Sequence, residues 1–167
     1  MGTATARHRS TETLLVLYDL HSKLFTNVIV DISDKDAHCR LQTKANHIAW
    51  LAGSLVHDTY ELANAAGITT RQTSHGLFKE HTGIQEGITY PSLTEYKNDW
   101  DRITPILRAA LLQLSEEQLD SADPYSMPGH DLTFFDAITF IMDRESYCIG
   151  QIGLWRRLLG YEAMKYQ

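Results

Sequence analysis

Residues 133–159 of the chain read TFFDAITFIMDRESYCIGQIGLWRRLL, and the expected architecture follows from this stretch. Its apolar side chains recur every three or four residues, which is the period of an amphipathic helix. One face of that helix would carry Phe134, Ile138, Ile141, Glu145, Cys148, Ile152, Trp155 and Leu159. Gly160 follows, and glycine readily adopts the left-handed conformation that ends a helix. The stretch is therefore predicted to form a long helix whose apolar face other helices must cover.

The same period recurs in three earlier segments. Helices are predicted over residues 10–30, over residues 43–67 and over residues 91–114. At the start of the third, Ser92 and Glu95 have the spacing of a reciprocal capping pair. No segment shows a clear strand pattern. An all-α, up-and-down four-helix bundle is therefore the expected fold.

The segments between these helices differ in length. Residues 31–42 are polar and are predicted to form a connection with one short helical turn, and residues 115–118 could cap another. Residues 68–90 show neither period and form a long loop that would cross between the second and third helices. Such loops are more often functional or mobile than inert. Residues 1–9 are expected to be a mobile lead, and residues 10–167 a single domain.

The composition is that of a globular protein. Of 167 residues, 43% are hydrophobic and 22% charged, which excludes disordered and low-complexity classes. The formal net charge of −6 disfavours a nucleic-acid partner, because surfaces that bind DNA or RNA are basic. No segment approaches the roughly 20 apolar residues that cross a bilayer, so no membrane partner is expected. The two cysteines, Cys39 and Cys148, and a start without a signal-peptide pattern predict a cytoplasmic protein with reduced thiols.

Several common catalytic motifs do not occur in the chain. Its eight histidines include no pair three or four residues apart, so no helical His pair is available for a metal. Neither the G-x-S-x-G nucleophile turn nor a glycine-rich phosphate loop is present. The unusual feature is residues 143–148, DRESYC, where charge interrupts the apolar run of the last helix. Buried charge there would require a partner.

Four blocks of the chain together resemble a known family. They are NHIAWLAGSL at residues 46–55, GITYPSL at 87–93, RESYCIGQ at 144–151 and RRLLGY at 156–161. In order and spacing these blocks are similar to the DinB-like (DinB/YfiT-type) superfamily. The resemblance implies a four-helix bundle that is often a homodimer. It also implies kinship with divalent-metal-dependent transferases that use bacillithiol, mycothiol or glutathione, although many members have no assigned activity.

The resemblance also locates the family's metal ligands, which are typically three histidines. Their positions in this chain are Ser54, Arg144 and Cys148. An arginine side chain stays protonated and has no lone pair for a cation, and one thiol with one hydroxyl is a poor ligand set. The metal site is therefore expected to be degenerate and no cofactor is expected. A nickel, zinc or iron ion is the minor alternative, kept open because His47 and His57 lie near Ser54 on the second helix.

Two interpretations of Arg144 follow. Its guanidinium could hold an anionic ligand such as a carboxylate or phosphate where relatives hold a metal. Alternatively, it could form an internal ion pair with Asp58, Asp143 or Glu145. The ion pair is favoured, because buried charges are generally paired within the protein.

Cys148 and three other side chains complete the candidate ligand site. The Cys148 thiolate could be a catalytic nucleophile favoured by Arg144 at i−4, whereas a small apolar filler of the core is the more common role of a helix cysteine. The other candidate ligand-binding residues are Ser54, His47, His57 and Tyr147.

The resulting functional expectation is a DinB-like protein that binds a small molecule or an anion at its degenerate metal site. Whether it is an enzyme is left open. The enzyme alternative is a metal-dependent or Cys148-dependent transferase that joins a low-molecular-weight thiol to an electrophile. A DNA-binding role connected with DNA damage is the third alternative, and the acidic balance fits it poorly.

Overall fold

The computed structural model describes residues 3–126 and 131–166, with side chains from residue 12 onward. It is all-helical, and no β-strand occurs among these residues. The long helices are α1 (Thr3–Ile29), α3 (Ile48–Ala65), α4 (Leu93–Gln113) and α6 (Phe134–Leu158). The short ones are α2 (Asp34–Ala37) and α5 (Glu116–Leu119). No described helix is both long and apolar enough to cross a membrane.

The predicted helix ends are correct in some places and wrong in others. Ser92 and Glu95 form the capping box of α4, as the spacing predicts. Helix α1 begins at Thr3 instead of Ser10, because no glycine or proline interrupts residues 3–29. It thus covers most of the predicted mobile lead, of which residues 1 and 2 lie outside the described chain. Helix α3 begins later than predicted, because the His47 side chain caps it by accepting a hydrogen bond from the backbone N–H of Trp50.

Helices α3 and α4 lie side by side and run in the same direction. Tyr96 of α4 lies against Gly53 of α3. Further along both helices, Arg102 Nε donates a hydrogen bond to the Tyr60 hydroxyl at 3.0 Å. An up-and-down bundle would have these consecutive helices antiparallel. The predicted up-and-down topology is therefore wrong at this step.

Helices α1 and α6 are also parallel neighbours. His21 contacts Glu145, and farther along Arg156 Nη1 donates to the Val28 carbonyl oxygen at 3.0 Å. The contacts of α1 with α4 and of α3 with α6 are antiparallel. In chain order the long helices thus run up, down, down and up around one shared core.

The predicted crossing loop makes this order possible. We call residues 66–92 the returning segment, because it leaves the end of α3 and travels back to its start, a distance of about 27 Å for an 18-residue helix. Gln72 Nε2 donates to the Gly53 carbonyl oxygen at 3.0 Å, and the Phe78 and Trp50 rings are 6.3 Å apart. The segment therefore packs along α3 and carries its side chains to the site described below.

Gly53 allows the returning segment and α4 to approach α3 closely. A Cβ at this position would lie 2.5 Å from Cζ and the hydroxyl of Tyr96, and it would also clash with the Phe78 ring. Both rings are buried, so they have little room to move. The small residue is thus required by packing.

Replacing Gly53 by alanine is expected to lower the free energy of unfolding by about 1–3 kcal/mol through overpacking. This loss would exceed the roughly 1 kcal/mol that alanine gains over glycine within a helix. The matched control is Gly150→Ala on α6, where no described atom beyond the local helix backbone lies within 4 Å of the new Cβ, so that variant should be as stable as the wild type or more so. Urea unfolding of both variants measures the difference. Equal stability of the two would contradict the prediction.

Candidate functional site

A cavity of about 570 Å³ lies between α3, α6 and the returning segment. Much of its wall is aromatic or aliphatic, from Trp50, Phe78, Tyr125, Phe140 and Ile141. Its ionisable lining side chains are His57, Asp58, Glu61, Glu80, His81 and Arg144. Apolar walls with a few converging polar groups are the usual composition of a small-molecule site.

Arg144 joins α6 to α3 on the wall of this cavity. Its Nε donates a hydrogen bond to Asp58 Oδ2, and its Nη2 donates to Ser54 Oγ at 2.6 Å. Two of the three positions that the resemblance aligns with metal ligands are thus in direct contact. Of the three partners considered for Arg144, Asp58 forms the ion pair.

Burial and ion pairing act against each other in the Arg144–Asp58 pair. Burial raises the pKa of the Asp58 carboxyl, and the neighbouring guanidinium offsets only part of this effect. Burial by itself would lower the pKa of the Arg144 guanidinium. The attraction of the adjacent Asp58 carboxylate is the main opposing effect, and the net result is a raised pKa. The cavity therefore contains a cation that already has a carboxylate partner, and Glu61 and Glu80 add further acidic groups.

Glu145, the other charged residue expected on the buried face of the last helix, has a separate partner. It is 2% exposed, and its Oε2 lies 3.1 Å from His21 Nδ1 of α1. Burial raises the pKa of this carboxyl. The pair lies in the core and ties α1 to α6. Glu145 thus has the partner that a buried charge in the DRESYC segment was expected to require.

His57, one helical turn after Ser54, lines the cavity and is 8% exposed. Burial, with a smaller contribution from the neighbouring His75, lowers its pKa from 6.5 to about 4. The two imidazole rings are 5.2 Å apart, and Glu61 lies one turn along α3 from His57. Sequence reasoning missed the grouping of these three residues. The i,i+4 spacing of His57 and Glu61 was a visible signal, whereas the position of His75 depends on the path of the returning segment.

Cys148 is buried in the core and lies outside the cavity lining. Burial raises the pKa of its thiol to about 11, and the charge of Arg144 only partly opposes this. At neutral pH the reactive thiolate would be scarce. These features favour the apolar filler over the nucleophile.

His47 and Tyr147 also lie outside the cavity lining. The His47 ring caps α3 and packs 5.3 Å from the Tyr90 ring, centroid to centroid. Tyr147 is on the outer face of α6 and is 66% exposed. The structure thus brings Ser54, His57 and Arg144 together at one cavity and leaves His47, Tyr147 and Cys148 elsewhere.

The chain was compared in sequence with protein-family models and with curated proteins. No protein-family model matches the chain, and no curated protein is significantly similar to it in sequence. The DinB-like resemblance therefore stays a prediction.

Proposed function

We propose that the protein binds a small organic molecule in the cavity between α3, α6 and the returning segment. The observation that carries this proposal is the combination of a 570 Å³ cavity with aromatic walls and the Ser54–Arg144–Asp58 group on one side. The aromatic walls would hold an apolar body, and the guanidinium, hydroxyl and carboxylate would bind a polar head. The polar groups on that side of the cavity would fix the orientation of the bound ligand.

The charges of the lining bear on what kind of ligand fits. Among the described lining residues there are three carboxylates, Asp58, Glu61 and Glu80, and one arginine, Arg144, so the described lining has an excess of carboxylates. An anion would therefore meet repulsion as well as the already paired guanidinium. We propose a ligand without net negative charge, in preference to the anionic ligand that the sequence also allowed.

A larger depression of about 640 Å³ lies between the end of α3 and α4. Among the described residues no ionisable side chain lines it; its lining includes Ile68, Pro105 and Ile106. Its polar side chains are the uncharged amides of Gln113 and Gln118, and a surface with few polar groups offers little specificity. It is the weaker candidate for a ligand site.

The remaining expectations belong to the same proposal. We propose a DinB-like four-helix protein, with the up-down-down-up order described above, whose family metal positions hold no ion. An exposed apolar stripe on α6, which includes Tyr147, Leu154 and Leu158, supports the proposed homodimer. A cytoplasmic location and the absence of a nucleic-acid partner remain part of this proposal.

The transferase alternative would need a reactive group beside the bound thiol. Cys148 does not meet this need, because it is buried away from the cavity with a raised thiol pKa. The metal-dependent form cannot use the family positions Ser54, Arg144 and Cys148, because an arginine has no lone pair for a cation. A metal bound at other residues would not by itself make the protein a transferase. We therefore propose binding as the function.

Titration with the uncharged dye Nile red tests the proposal. Saturable fluorescence with one dye per chain is expected, and Phe140→Ala should weaken it by about fivefold through loss of an aromatic wall. The matched control is Leu154→Ala, since Leu154 is likewise an exposed apolar residue of α6 but lies outside the cavity. It should bind the dye like the wild type.

Two outcomes would contradict the proposal. Equal losses in the Phe140 and Leu154 variants, or no saturation at all, would show that the cavity is not a binding site. Tighter binding of the anionic dye anilinonaphthalene sulfonate than of Nile red would overturn the expected charge preference.

A further inference from the structure

Three side chains that commonly bind transition metals converge beside the cavity. His57 and Glu61 belong to α3, and His75 belongs to the returning segment. One ring nitrogen of each histidine and one carboxylate oxygen of Glu61 lie within 4.8 Å of one another. Two ligands held about 2.1 Å from the same ion lie about 3–4 Å apart. The 3.7 Å between His75 Nδ1 and Glu61 Oε1 falls in this range. Side-chain adjustment would have to bring the other ligand atoms, which lie within 4.8 Å, into it as well.

The histidines of this group have unused hydrogen-bonding capacity. Nδ1 of His57 and Nδ1 of His75 are buried, and neither has a hydrogen-bond partner among the described residues. Leaving a buried polar atom without a partner is costly in a folded protein. A cation bound between the two rings would give these nitrogens a ligand-type partner in place of a hydrogen bond.

Neighbouring contacts hold these side chains in place. His57 and Glu61 are four residues apart and so lie on one face of α3. His75 lies two residues after Thr73, whose backbone N–H and hydroxyl donate hydrogen bonds to the two carboxylate oxygens of Asp99 at 2.9 and 3.0 Å. The segment that carries His75 is thus tied to α4, which limits the motion of the third ligand.

We propose that His57, Glu61 and His75 bind one divalent first-row transition ion at the edge of the cavity. Two imidazole nitrogens with one carboxylate suit zinc, nickel or iron(II), whereas magnesium and calcium prefer oxygen ligands alone. His57 and Glu61 also line the cavity, so the remaining coordination positions would open toward a bound molecule. The site does not use Ser54, Arg144 or Cys148. It also does not depend on the proposed small-molecule function.

Zinc chloride titration of the untagged, chelator-treated full chain tests this site, with competition against a chromophoric chelator as the readout. One zinc ion per chain is expected, and magnesium chloride should not compete. His75→Ala and Glu61→Gln should each weaken zinc binding by more than about 100-fold. Mutating a residue that only hydrogen-bonds to a metal ligand already lowers metal affinity by about 10–100-fold, and these variants remove a ligand itself. Zinc should raise the melting temperature of the wild type and leave that of His75→Ala unchanged.

The matched control is His81→Gln, because His81 lines the same cavity but is not a member of the group. It should bind zinc like the wild type. Circular dichroism and the melting temperature of each metal-free variant show whether it folds, and Glu61→Gln, with its half-exposed and nearly isosteric side chain, is the variant expected to fold in any case. Wild-type zinc affinity in His75→Ala or Glu61→Gln, an equal loss in His81→Gln, or no stoichiometric binding would overturn the proposal.

Discussion

Replacing Arg144 by methionine is expected to destabilise the protein by about 2–3 kcal/mol at pH 7.5. The substitution leaves the Asp58 carboxylate, whose side chain is 18% exposed, without its cationic partner. Removing one member of a fully buried ion pair costs about 3–5 kcal/mol, and the partial exposure of this pair reduces that figure. Because burial already raises the pKa of Asp58, the loss should be smaller at pH 5, where the carboxyl can take up a proton.

Two further variants show whether the loss of stability in Arg144→Met comes from the unpaired Asp58 carboxylate. The double variant Asp58→Leu with Arg144→Met should recover most of the lost stability, since no unpaired charge remains. Arg108→Met is the matched control, because Arg108 forms an ion pair with Asp19 that lies largely in solvent. Arg108→Met should lower the free energy of unfolding far less than Arg144→Met does. Urea unfolding of all four proteins measures these differences, and an Arg144 variant no less stable than the Arg108 variant would show that the ion pair is not structural.

Acid is expected to destabilise the protein through His47. Its Nδ1 accepts a hydrogen bond from the backbone N–H of Trp50 at 3.0 Å, which requires an unprotonated nitrogen. Burial, with a smaller effect of nearby His38, lowers the pKa of His47 from 6.5 to about 4. The unfolded chain therefore takes up the proton first, and stability is lost as the pH falls from about 6.5 to about 4. At 1.36 kcal/mol per pKa unit, the full loss from this residue is about 3 kcal/mol.

The variant His47→Asn isolates this contribution, because asparagine also caps helices but does not titrate. The quantity to measure is the difference in unfolding free energy between wild type and variant at pH 7.5 and at pH 4.5. It should shift by about 2–3 kcal/mol in favour of the variant at the lower pH. Other titrating groups are common to both proteins and cancel. A difference that does not change with pH would show that the folded protein holds His47 with an ordinary pKa.

Much of the helical structure could be predicted from local sequence. The period of three to four residues located α1, α3, α4 and α6, and the Ser92–Glu95 spacing located the start of α4. These features depend on contacts between residues close in the chain. The start of α3 was missed, because a histidine is not a usual cap and its ring reaches the Trp50 amide only in the folded conformation.

The candidate site was only partly predictable. Ser54, His57 and Arg144 were named from the sequence, and all three line the cavity. Cys148 was placed on the apolar face of the last helix, with the core filler as its more common role, and it is buried in the core. Spacing along one helix left the nucleophile open as the alternative, because it does not reveal which neighbour covers each side chain. The pairing of Arg144 with Asp58 was one of several alternatives. Only the packing of α6 on α3 selected it.

Amino-acid order by itself determined where the long helices lie and which of their side chains are apolar, since both depend on periods of a few residues. The direction of α4 relative to α3, and the meeting of His57, Glu61 and His75, were decided by tertiary structure. The returning segment could have run several ways, because no short-range period guides its backbone. Its packing along α3, around Gly53, selects one path and thereby creates both the cavity and the proposed metal site.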